Sequence, residues 1–235
     1  SLLTTKHKFI MKTQSNNSRR QFLGALALGA TASTISVLTN PIYAKLPTFE
    51  GKTLNETENW FDNIKGSHRV VYDGSTPHAG FPVLWNFAFY LTNNGTGSGD
   101  DDITAMTVLR HKGLALSFED RIWKKYPIGE VFNVKKADGT PYKRNPYYEP
   151  QDGDFPIPGV DGIKRLQERG AMFCACDLAT KVYSGKVAEK MSLDPIEVYN
   201  DWVSGVLPGV ELVPSGVWAL ERAQKHGCGY IFAGE

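Results

Sequence analysis

Five short apolar runs constrain this chain most: His68–Asp73, Ile103–Arg110, Ala171–Cys176, Val210–Val213 and Gly229–Ala233. Each is too short for a helix, and most leave into glycine, proline or polar residues, the punctuation expected at strand ends. Helical patterns fall between them, at Pro82–Leu91, Leu114–Tyr126, near Asp161–Arg169, Leu178 to about Met191, Pro195–Val206 and Val217–His226. The first of these is apolar nearly all round and so requires cover on most sides. Strands alternating with helices need crossovers, and crossovers place helices on the faces of a parallel sheet. The order therefore predicts a three-layer α/β fold, with a mainly parallel sheet of about five strands and helices on both faces.

The alternation fails between Pro127 and Gly159, where proline and glycine recur and Ala137-Asp138-Gly139-Thr140 reads as a hairpin turn. An excursion of that length without regular elements is expected to act as a lid or an oligomer contact. It is an insertion within a single α/β domain spanning 45–235.

Before that domain stands a segment with no acidic residue ahead of Glu50. Ser18-Arg19-Arg20-Gln21-Phe22-Leu23 leads into a mildly apolar run, Phe22–Leu38, interrupted by Gly, Ala, Thr and Ser and too weak for a membrane span. This pattern resembles the bacterial twin-arginine (Tat) export signal. The resemblance implies a start at Met11, cleavage after Ala44, passage through the Tat translocase and a periplasmic product without stable membrane insertion. The leader's five basic residues leave 21 of 26 to face 25 acidic ones. A mildly acidic domain lacks the clustered basic surface that a nucleic-acid partner requires.

Polar residues at strand exits are where ligands gather in such sheets. Asp73 and His78 leave the first strand, His111 the second, Cys176 and Asp177 the third, and Ser215 the fourth. Helix starts follow most of these exits, bringing backbone N–H groups to the same rim. Cys174 and Cys176 share one face of their strand, Cys174 beneath a covering helix and Cys176 at the end. A thiol at a helix start ionises more readily than a free one, and a C-x-C disulfide needs strained geometry. The third cysteine, Cys228, leaves one thiol unpaired in any pairing and is expected to pack at the start of the last strand.

Cys176 followed by a helix, and then VLPGVELVPSGVWALERAQKHGCGYIF from Val206 to Phe232, resembles the DsrE/DsrF-like family of sulfur-relay proteins. The likeness runs from about His68 onward and is most specific in the last third. It implies a five-stranded α/β layer, a homo-oligomer, and a sulfur-accepting role for Cys176 as a persulfide carrier or thiol-redox protein. Its partners would then be small sulfur species or another protein's thiol. The 127–159 insertion, the His78 loop and the C-x-C pair lie outside the family pattern.

His78 and His111 could support a thiolate at Cys176, with Asp73, Asp177 and Ser215 binding ligand. The same His78, His111 and Cys176 could instead hold a transition metal, making the chain a periplasmic metal- or small-ligand-binding protein. A non-catalytic oligomeric adaptor is the third possibility. Asp100–Asp102 lacks the spacing of a calcium loop. No nucleophile elbow, P-loop or dinucleotide fingerprint occurs.

Overall fold

The structure, a computed structural model, describes residues 54–235. The export signal, the start at Met11 and the cleavage after Ala44 lie outside the described residues. Helix α1 (Leu54–Trp60) leads through a 3₁₀ turn to β1 (His68–Gly74) and α2 (Phe81–Gly95). Next come β2 (Ile103–Leu109), α3 (Asp120–Lys125), α4 (Ile128–Val131), α5 (Ile163–Glu168) and β3 (Met172–Cys176). The chain continues through α6 (Asp177–Met191), α7 (Pro195–Ser204), β4 (Val210–Val213), α8 (Gly216–Lys225) and β5 (Gly229–Phe232). The five strands pair in parallel, in the order β4-β3-β2-β1-β5. The three-layer α/β architecture is the one the alternation of runs requires.

Strand periodicity sorts the two faces. On one, Val71, Met106, Val108, Cys174 and Val213 pack with Phe61 and with Ala219 and Ala223 of α8. On the other, Asn86 of α2 donates to the Ala105 carbonyl (3.0 Å) and to Thr107 Oγ1 (3.1 Å), and Thr107 Oγ1 donates to the Pro82 carbonyl. Helix α2 is less fully covered than its composition suggests, since Trp85 and Leu91 are exposed. The expected helix Leu114–Tyr126 is broken. Residues His111–Ser117 form 3₁₀ turns, Phe118 pairs antiparallel with Val206, and only Asp120–Lys125 is α-helical.

The insertion is packed against the body. Phe132 is buried against Tyr183 and Trp202, and Tyr142, Tyr147 and Phe155 are buried too. Its hairpin closes through Lys135 and Pro141, with Gly139 at φ 83°. Asn145 anchors it: Nδ2 donates to the Leu116 and Phe118 carbonyls (2.8 and 2.9 Å), and its N–H donates to Asp120 Oδ1. Asn145→Ala strands two buried carbonyls, so a loss of about 2–4 kcal/mol is expected. Urea unfolding checks this, and a loss under about 1 kcal/mol would deny the anchor.

Candidate functional site

Cys176 ends β3 and caps α6: Ala179 N–H donates to its sulfur at 3.3 Å. Being two residues from Cys174, it faces the α8 side of the sheet. There the start of α8 supplies a further N–H, from Gly216, and Leu178 supplies another. Two helix starts thus converge on one sulfur. Yet Cys176 is only 5 % exposed. Burial raises the thiol pKa above its ordinary value, and the Asp177 charge adds to that, while the three N–H groups oppose it. The sequence placed this sulfur at a rim and expected easy ionisation. The position is at the strand's end, but desolvation outweighs the donors and keeps the thiol protonated at rest.

The same face carries a residue that sequence reasoning passed over. Met106, Val108 and then Arg110 follow one periodicity, so Arg110 emerges beside Asp73 and Cys176. Its Nε and Nη2 donate to Asp73 Oδ1 and Oδ2 at 2.6 and 2.8 Å, a bidentate pair on a carboxylate that is 2 % exposed. Tyr230 of β5 donates its hydroxyl to Asp73 Oδ2 at 2.8 Å. Hydrogen bonding to Asp73 raises the Arg110 pKa despite burial, and a thiolate at Cys176, once formed, adds to it. The guanidinium stem lies against the start of α8: a Cβ on Gly216 would stand 2.4 Å from Arg110 Cβ. Only glycine admits that approach.

The other expected site residues have different duties. Both oxygens of Asp73 are taken by Arg110 and Tyr230, so this carboxylate holds the rim together and is not open to ligand. Asp177, 1 % exposed, accepts from Tyr199 Oη (2.6 Å) and pairs with Lys181 (2.8 Å), which ties α6 to α7. Ser215 caps α8, its Oγ accepting from Trp218 N–H at 3.3 Å. His78 stacks on Phe81 at the start of α2, on the opposite face from Cys176, with Nδ1 3.3 Å from the Ala233 carbonyl. That carbonyl can only accept, so Nδ1 carries the proton. His111 meets Tyr183 of α6 edge-on, and its pKa is lowered, first by burial and further by Lys112, Arg110 and Lys186.

The sheet therefore separates His78 from the sulfur. Among the described residues no three of His, Cys, Asp and Glu gather where they could hold a metal ion. His78, His111 and Cys176 do not form the metal set that their strand exits suggested, because the left-handed turns at His78 (φ 39°) and His111 (φ 50°) send the two rings elsewhere. Cys174 and Cys228 are free, buried thiols, the latter pushed up to about 11 by burial.

The geometry gives a sign for pH dependence. Labelling of Cys176 by iodoacetamide should be slow at pH 7 and climb through and beyond pH 9, since only the thiolate reacts. Mapping the labelled peptide across pH checks this; half-maximal labelling below about pH 8.5, the unperturbed value, would contradict the burial argument.

Neither a protein-family profile nor a curated protein matches the sequence. Among solved structures, a protein of unknown function from Methanobacterium thermoautotrophicum is similar at 17% identity, covering 71% of this chain and 99% of that one with a TM-score of 0.38. A likeness that distant bears on neither the site nor its chemistry.

Proposed function

We propose that this chain is a DsrE-like sulfur carrier in which Cys176 takes and passes on a sulfane sulfur. The observation that supports this reading most is the convergence of the α6 and α8 starts on Cys176 Sγ, with the Arg110 guanidinium close enough to feel its charge. Such donors stabilise a sulfur anion once one forms. In the proposed step the Cys176 thiol gives up its proton and its sulfur attacks the outer sulfur of a persulfide or polysulfide. A new S–S bond forms at Cys176, the donor's S–S bond breaks, and the departing thiolate keeps the electron pair and takes up the proton. Attack by an acceptor thiol on the outer sulfur reverses the sequence, and no separate oxidant is needed.

Two further parts of the reading stand beside it. Export to the periplasm rests on Arg19 and Arg20 with the run that follows, and is read from where a reporter fused behind residues 11–44 accumulates. Assembly as a homo-oligomer is supported by β5, an edge strand whose Tyr230, Ile231 and Phe232 are 44–48 % exposed, whereas the opposite edge, β4, is largely covered. Such an edge invites another strand, and the mass of the chain in solution tests it.

Exposure of the purified protein to polysulfide should add mass in units of one sulfur to the Cys176 peptide, reversed by a thiol reductant. The Cys176→Ser variant should gain none. Equal gain in that variant, or none in the parent between pH 7 and 9.5, would overturn the proposal.

A further inference from the structure

The ionisable side chains around the Cys176 sulfur come from several elements, and most are fixed in their charge. Asp177 starts α6, and both its oxygens are held, by Tyr199 and Lys181. Cys174 shares the face two residues earlier and is fully buried, with Glu211 beside it across the β3–β4 pairing. The first turn of α8, Gly216 to Ala219, brings no charged side chain. From the end of β2 comes Arg110, within range of a thiolate's charge, and behind it stand Asp73 of β1 and Tyr230 of β5.

Arg110 links the acid to the sulfur. Its Nε and Nη2 bind Asp73, while its stem lies against Gly216, where an added Cβ would stand 2.4 Å from Arg110 Cβ and 2.9 Å from Cδ. Gly216 in turn donates its N–H to Cys176. The carboxylate side chain is 3 % exposed and the guanidinium 27 %, so water and salt screen these charges less than they would at the surface. Two opposite charges 2.6 Å apart largely cancel when felt from a third group farther off.

We propose that Asp73 restrains Cys176 by way of Arg110: the acid offsets the guanidinium's charge and keeps the sulfur poorly nucleophilic in the resting chain. Both are positioning residues, since neither hydrogen-bonds the sulfur. The inference rests on Cys176 being the reactive sulfur. Removing the acid and removing the cation then act in opposite directions. Without Asp73 the full charge of Arg110 favours the thiolate, and without Arg110 the buried carboxylate opposes it. A role confined to holding β1, β2 and β5 together gives one direction for both, because either loss loosens the same rim.

Iodoacetamide labelling of the Cys176 peptide at pH 7, on the whole chain and beside urea unfolding, tests the proposal. Asp73→Asn should label about three- to tenfold faster than the parent, and Arg110→Gln about three- to tenfold more slowly. Arg110→Lys keeps the cation and should label within about twofold of the parent. Asn145→Ala, destabilised in the insertion, should label at the parental rate. Where Arg110→Gln does not fold, Asp73→Asn is set against the variant that also carries Arg110→Gln, which lacks the cation and should label more slowly. Shifts of one sign in both single variants, an unchanged rate in Asp73→Asn, or equal rates in Asp73→Asn and the double variant would overturn it. Alkylation needs no sulfane donor, so a chain that labels as expected yet gains no sulfur from polysulfide loses the carrier reading and keeps this one.

Discussion

The bidentate pair between Asp73 and Arg110 is the contact on which the sulfur-bearing end of the sheet depends. Asp73 lies one residue before the end of β1, Arg110 follows β2, and Tyr230 reaches the same carboxylate from β5, so one buried acid gathers three strands. Arg110 then lies along Gly216, which fixes where α8 begins and hence where its first N–H groups point. Backbone bonds repeat the tie: Arg110 N–H to the Gly74 carbonyl, Gly113 N–H to the Ser75 carbonyl and Ala233 N–H to the Asp73 carbonyl. A charge-assisted pair of this kind is costly to break from one side, because the remaining charge stays buried without its partner.

That arrangement leaves Cys176 with two opposed influences. Helix starts and a guanidinium favour the anion, while exclusion of water favours the neutral thiol, and the second prevails in the resting chain. On the proposed reading of Cys176 as a sulfur carrier, the N–H groups are already oriented for a charged sulfur. Cys174, two residues earlier and fully buried, has no such donors and packs as a small apolar side chain.

The strands were legible because each apolar run is short and leaves into polar or turn-forming residues, and their order sufficed for the layered α/β fold. Cys176 at the end of β3 was legible for the same reason. What the sequence hid was set by tertiary contact. Leu114–Tyr126 has helical periodicity, yet Gly113 is drawn to the β1 exit and Phe118 to Val206, which breaks the helix. The histidines share strand ends with Cys176, but face and turn geometry separate His78 from it, and a loop's handedness cannot be read where non-glycine residues adopt positive φ. Arg110 could have been found: counting by two from Met106 places it beside Asp73 and Cys176.

The account turns on Asp73 and Arg110 acting as one unit, and a double-mutant cycle measures that directly. Urea unfolding of Asp73→Asn, Arg110→Gln and the double variant should give a coupling of about 2–3 kcal/mol, the double variant being less destabilised than the sum of the singles. Additive losses, within about 0.5 kcal/mol, would show that the pair does not organise this end of the sheet.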